Sequence, residues 1–231
     1  MPKSRVAHPP RKRRGRTYDE RLIDRLLLLF TIGDLNMRGI YPGRVKLQKL
    51  VFLSEREMLG LRIKGFNYNF IKLDIGPYSD ELSRDLELLQ ERNLIVYDKE
   101  RSVFILTDKG RDLLMKLSDV IRENKDILSI IRHVNEEHGY KSLDELLDHV
   151  YSLKRPLKGK KIPIRDIPPR TPLLKRIREE KAKQTFKIGA EALEILAAEV
   201  GVELFRDVLT LSDKIKAAIW RRISKRETHV R

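Results

Sequence analysis

The chain contains no cysteine. Disulfides, thiolate zinc sites and cysteine nucleophiles are therefore excluded, and a cytoplasmic location fits best. Aromatic residues make up only 6% of the chain, and none lies within residues 1–16. Base stacking by that segment is thereby excluded. No apolar run approaches the roughly 20 residues that a membrane span needs; the cluster from Leu26 to Phe30 is far too short. The first residues are basic but lead into no apolar stretch, so they do not read as a secretory signal. The five histidines are scattered, and His133 and His138 miss the i,i+4 spacing of a helical zinc pair. Gly159-Lys160 is no phosphate loop, for it lacks the upstream glycine and a following Ser or Thr. No nucleophile motif and no carboxylate pair with a positioned partner stands out. The expectation is a protein without catalysis, cofactor or metal.

What is present is charge. Of 231 residues, 36% are charged and 41% hydrophobic, enough for a real core in one large or two small domains. Abundant Lys, Arg and Glu lean towards a thermophilic source. Net charge is +15, unevenly spread. Residues 1–16 carry +7, residues 154–187 carry +10, and the remainder sums to −2. Both basic segments contain proline, so they read as a disordered tail (1–17) and a linker (154–187). Two folded parts remain, residues 18–153 and a C-terminal helical region, 188–231.

Apolar spacing predicts a helix over Tyr18–Ile32 that ends near Gly33. A second helix runs through "RVKLQKLVFLSEREML" with Leu47, Leu50, Val51 and Met58 on one face. An aromatic, extended stretch closes at Gly76-Pro77. A third helix follows from Ser79, a plausible N-cap, to Arg92, burying Leu82, Leu86 and Leu89. "LIVYD" and "VFILT" alternate as a β-hairpin with Lys99 and Arg101 at its tip, and Thr107 caps the next helix. Helix then continues to about Leu153 with breaks near residues 123–125 and at Gly139, and two more helices flank Gly201. The fold class is mainly α: a winged-helix-like domain with one β-hairpin, plus a C-terminal helical hairpin.

"KLQKLVFLSE", "GPYSDELSRDLELLQERNLI", "LTDKG" and "SLDELLDHVYSL", spread over residues 18–153, resemble the YwgA-like group and the related Panacea (SocA-like antitoxin) domains. The resemblance implies a compact, mainly helical domain with a winged-helix-like hairpin and no catalysis. In Panacea antitoxins such a domain neutralises a partner toxin by contact, whereas many YwgA-like members have no assigned role. The C-terminal quarter departs from that pattern.

Helix three sits where a recognition helix would, but its outer face is Asp80, Arg84, Glu87, Leu88 and Glu91. Three acids and one base oppose insertion among phosphates, because affinity there comes from Lys and Arg releasing counterions. Arg84, Glu87, Leu88 and Glu91 suit a protein contact instead, with Leu88 as the apolar anchor. Trp220, on an amphipathic last helix, suits an interface with the body or a second subunit. The nucleic-acid signal lies elsewhere. Arg11, Lys12, Arg13, Arg14 and Arg16 form an arm that can follow phosphates. Lys158, Lys160, Lys161 and Arg165 form a second basic segment, and Lys99 and Arg101 add the hairpin tip. The expected function is therefore a nucleic-acid-associated regulator of transcriptional or chromatin type, on DNA or RNA. The alternatives are an antitoxin or adaptor module acting through the helix-three face on a protein partner or a second copy, and an RNA- or ribosome-associated protein.

Overall fold

The structure is a computed structural model that describes residues 15–157 and 159–201. Its central element is α1 (Tyr18–Met37), opened by a capping box between Thr17 and Glu20. From Asp24 to Leu35 every residue is buried, because other elements cover the helix on all sides. Gly33 does not end it. A Cβ there would lie 3.2 Å from both Leu106 and Leu114, so the glycine serves close packing inside the helix. The chain reverses six residues later at Gly39, whose φ of +76° suits glycine.

Helix α2 (Arg44–Gly60) buries Leu47, Leu50, Val51 and Met58, as its periodicity predicts. After the short strand β1 (Ile63–Lys64), Phe66, Tyr68 and Phe70 drive into the core. Phe70 meets Phe52 of α2 edge to face, with ring centroids 5.4 Å apart. Strands β2 (Ile71–Leu73) and β3 (Gly76–Tyr78) then pair antiparallel around Asp74 and Ile75. Lys49 Nζ of α2 donates to the Pro77 carbonyl at 2.8 Å and fixes that hairpin to the helix.

Helix α3 (Asp80–Glu91) begins at Ser79, whose hydroxyl accepts the Leu82 N–H, and it buries Leu82, Leu86 and Leu89 completely. Strands β4 (Ile95–Asp98) and β5 (Val103–Leu106) follow as an antiparallel pair. Asn36 of α1 accepts the Leu106 N–H at 2.7 Å and so holds β5 against the central helix. Thr107 caps α4 (Asp108–Lys116); α5 (Ser118–Glu123), α6 (Lys125–His138) and α7 (Leu143–Ser152) complete the helical body. Ser142 and Glu145 form a second capping box at α7.

Residues 154–187 are not a linker. Strands β6 (Lys154–Leu157) and β7 (Lys160–Pro163) form another antiparallel hairpin. The chain then runs back across the body. Leu173 N–H donates to the Phe70 carbonyl at 2.8 Å, and Lys72 N–H to Thr171 at 2.9 Å. Strand β8 (Gln184–Thr185) pairs parallel with β1. Ile164, Ile167, Leu173 and Phe186 join the core. Proline and charge suggested an unpacked segment, but its few apolar residues recur often enough to anchor a strap. Helix α8 (Ala190–Val200) packs on α1 through Leu196 and Val200. The second C-terminal helix expected from sequence lies outside the described residues. The chain is thus mainly helical with small two-stranded sheets: among the described residues there are three antiparallel hairpins rather than the one expected, and one parallel pair. Among the described residues no helix is long and apolar enough to cross a membrane.

Candidate nucleic-acid interface

Arg16 is the first side chain of the described chain to enter the body. Its side chain is only 5% exposed. Nη1 lies 2.9 Å from Asp24 of α1 and 2.6 Å from Asp85 of α3, and Nε lies 3.8 Å from Glu81. The guanidinium also stacks over Tyr68, 4.8 Å from the ring centre. Asp85 accepts from Arg16, from Arg25 Nε at 2.8 Å and from the Tyr68 hydroxyl at 3.0 Å. Asp24 accepts from Arg16 and from both the backbone and side-chain N–H groups of Asn67. Arg25 also donates to the Val200 carbonyl at 2.8 Å, which ties α8 to the same cluster.

Burial opposes the charge on Arg16, but Asp24, Tyr68 and Asp85 more than offset it, and its pKa is raised. Asp24 moves to about 7, because burial outweighs the attraction of Arg16. Nearby Glu55 is buried with both carboxylate oxygens unpartnered. Burial, reinforced by Asp24 and Glu81 and only partly offset by Arg176, pushes it well above the ordinary carboxylate range. Among the described residues no group of three or more His, Asp or Glu is arranged to hold a metal ion.

Arg16 was expected to touch phosphate; the structure buries it between two carboxylates instead. The residues beside it, however, face a basic surface. Gly15 and Thr17 line a groove of about 740 Å³ whose walls include Lys64, Arg155, Lys175, Arg176 and Arg178. Three acids share the groove. Glu20 lies 2.8 Å from Lys64 and 3.8 Å from Arg176, and Glu180 lies 3.7 Å from Arg178. Lys175 is exposed and makes no ion pair with another of the described residues.

Arg155 connects this groove to the β6–β7 hairpin. Residues 154–163 carry five basic side chains and no acid. The register pairs Arg155 with Ile162 and Pro156 with Lys161. Strand alternation therefore puts Arg155 and Ile162 on the inner face, and Lys154 and Lys161 on the outer one. Arg155 and Ile162 are half-buried, whereas Lys154 and Lys161, and Lys160 at the turn end of the inner face, are exposed and make no ion pair with another of the described residues. Arg165 is also exposed, 3.2 Å from an equally exposed Asp148; such a surface pair binds weakly and leaves the cation accessible.

Lys160, Lys161 and Arg165 are exposed on the β6–β7 hairpin or just after it, and Arg155 of the same hairpin lines the groove that Gly15 also lines. Lys158 and Arg11–Arg14 lie outside the described residues, as does Trp220. Lys99 and Arg101 are exposed at the β4–β5 tip but belong to a different region. That hairpin is held at Asn36, and α1 separates Asn36 from Arg16 by about 30 Å at 1.5 Å per residue. On α3, Arg84, Glu87 and Glu91 are exposed as expected. Leu88 is half-buried rather than an exposed anchor. The larger exposed apolar surface is elsewhere. A cleft of about 430 Å³ between α1, β5, α4 and α5 has Phe30, Leu106 and Leu114 in its walls and Met37, Tyr41 and Met115 among its exposed residues.

Sequence reasoning missed Asp24 and Asp85, although a signal existed. Asp24 falls among Ile23, Leu26 and Leu27, and Asp85 sits directly before Leu86 on the buried stripe. An acid on an apolar face implies a buried cation, and nothing in the local pattern says which one. Compared with known proteins, the chain matches no family model, no curated protein and no solved structure.

Proposed function

We propose that this protein is a non-enzymatic nucleic-acid-associated protein that holds a phosphate backbone between its basic N-terminal arm and the β6–β7 hairpin. The observation that carries this reading is the hairpin itself. Ten residues carry five cations and no acid, and Lys154, Lys160 and Lys161 are exposed with no ion pair to another of the described residues. The groove continues the same charge to Gly15, where the arm begins. Phosphate contact needs cations free to displace counterions, and these are the free ones. The buried carboxylates Asp24 and Asp85 are committed to Arg16 and Arg25, which supports assigning them a structural role.

Within this reading, α3 and the β4–β5 hairpin follow one another in the order of a winged helix, but α3 is not the reader. Its exposed positions include Asp80, Glu87 and Glu91 against Arg84. The resemblance of residues 18–153 to YwgA-like and Panacea domains is carried forward as part of the same proposal for the helical body.

The test is binding of labelled DNA and RNA duplexes as a function of salt. Replacing Lys154, Lys160 and Lys161 together by Ala should weaken binding to every sequence alike. It should also reduce the slope of log affinity against log salt by about 0.9 for each phosphate contact removed. An unchanged slope in the triple variant would overturn the proposal. The relative affinities for DNA and RNA decide between the regulatory and the ribosomal forms of the reading.

A further inference from the structure

We infer that the apolar cleft between α1, β5, α4 and α5 is a binding site for a small amphiphilic carboxylate, with an acyl chain in the cleft and its head group on Arg111. The cleft shares no residue with the basic groove, and the inference does not depend on the nucleic-acid reading.

Two helical stripes make the cleft. On α1, Phe30, Gly33 and Met37 fall at i, i+3 and i+7 and so share one face. On α4 and the start of α5, Arg111, Leu114, Met115 and Ser118 follow a similar spacing. Ile105 and Leu106 of β5 complete the walls. The volume of about 430 Å³ falls within the range of small-ligand pockets. From Phe30 to Met37 the α1 wall runs about 10 Å at 1.5 Å per residue, the reach of a medium-length acyl chain. Met37, Tyr41 and Met115 expose apolar surface here. An acyl chain would remove that surface from water, and the two flexible methionines can repack around it.

Charge selects the head group. The walls hold two charged side chains, Asp34 and Arg111. Asp34 is committed to the fold: it accepts from Arg38 at 3.1 Å and from Asn135 at 2.9 Å, and Arg132 lies 4.0 Å away. Arg111 is held only by Asp108, 2.9 Å away on the same helix and 94% exposed. Such a surface pair binds weakly, and Asp108 is not part of the wall. The Arg111 guanidinium is therefore available to a carboxylate, which it can bind through two parallel hydrogen bonds. A neutral ligand would leave that cation unused, and a cationic one would be repelled by it. A partner helix fits less well. About two turns would fill this length, whereas a stable protein interface covers roughly 800 Å² on each side.

The experiment is calorimetric titration of the full chain with octanoate, nonanoate and decanoate, each below its micelle-forming concentration. Decanol and decylammonium serve as the neutral and cationic controls. One decanoate should bind per chain, and affinity should rise about fourfold for each methylene added from octanoate to decanoate. Decanoate should bind at least about tenfold more tightly than either control. Two variants locate the site, Arg111→Gln for the head group and Ser118→Trp to fill the cleft. Both positions are exposed, and circular dichroism verifies that each variant is folded. Arg111→Gln should weaken decanoate about tenfold and leave decanol unchanged, while Ser118→Trp should weaken both. Arg111→Gln decides the matter alone if the tryptophan variant fails to fold. The inference is overturned if decanoate shows no saturable binding, or if a folded Ser118→Trp chain binds it as before. It is also overturned if Arg111→Gln leaves decanoate binding unchanged or weakens decanol equally. Light scattering covers the remaining occupant: a dimer that Ser118→Trp dissociates, without decanoate binding, overturns the inference and assigns the cleft to a second copy of the chain.

Discussion

At the scale of the residue, three buried ionisable groups show how environment outranks side-chain identity. Glu55 is an acid whose pKa burial pushes well up, and Arg16 is a base whose charge is reinforced by its partners. His138 on α6 is a third case. It is 5% exposed, its Nδ1 lies 2.8 Å from Lys141 Nζ, and its ring is 4.5 Å from that of His149. Burial, with Lys141 and His149 opposing a further positive charge and Glu137 only partly offsetting them, lowers its pKa to about 4. A lowered folded-state pKa means that the unfolded chain binds the proton more tightly. Stability contributed by neutral His138 is present above pH 6.5 and lost as pH falls towards 4. After allowance for solvent screening, up to about 2 kcal/mol should disappear over that window. Asp24, raised to about 7, runs in the opposite sense; its neutral form is favoured by folding, so its contribution falls as pH rises towards 7. The His138 effect is therefore read as the difference between wild type and His138→Gln in urea unfolding at pH 7 and pH 4.5. Wild type should lose more stability than the variant between those two values, and parallel behaviour would refute the assignment.

At the scale of the element, glycines separate what local pattern can and cannot say. Gly33 and Gly60 look alike in sequence as helix-end signals, yet Gly33 lies inside α1 and Gly60 closes α2. Gly110 lies in the first turn of α4, where a Cβ would come within 2.2 Å of the Leu94 carbonyl oxygen. That oxygen is backbone, already accepting from Thr107, and cannot move aside cheaply. Gly110→Ala should cost about 2–4 kcal/mol of stability. Gly60→Ala meets nothing within 4 Å and should gain about 0.5 kcal/mol by restricting the unfolded chain. Chemical denaturation of the two variants tests this contrast, and a neutral Gly110→Ala would show that α4 docks on β4 more loosely than described. The hairpins teach the same lesson. Alternation in "LIVYD" and "VFILT" makes β4 and β5 legible, while "KRPL" and "KKIP" carry two prolines and little alternation. Their pairing follows from where the strap must turn, which is a tertiary fact.

At the scale of the molecule, the strap changes what counts as a unit. Ile164, Ile167, Leu173 and Phe186 are all at least nine-tenths buried against the body. Burying one such side chain contributes about 1.5–3 kcal/mol, a large share of the net stability of a domain. A chain ending at Leu153 therefore should not unfold as one cooperative transition. Ending at Gly201, with α8 and the strap in place, should restore that transition. Calorimetry of the two truncations distinguishes them; a sharp transition in the shorter chain would reinstate residues 154–187 as a linker. The strap also carries the groove lining and follows directly from the basic hairpin, so the candidate interface is built on the folded body and not on a mobile insert.

Much of this was determined by the sequence alone. Helical periodicity located α1, α2 and α3, Ser79 and Thr107 marked the starts of α3 and α4, and charge arithmetic singled out residues 1–16 and 154–187. These are local properties, set by side chains within a few positions of one another. The sequence could not say that Arg16 leaves the arm for Asp85, 69 positions away, or that a proline-rich basic stretch crosses the aromatic segment at Phe70. Long-range pairing decides both, because a buried carboxylate accepts whichever cation the fold delivers. Only the tertiary structure separates the cation spent on anchoring from the lysines left free on β6 and β7.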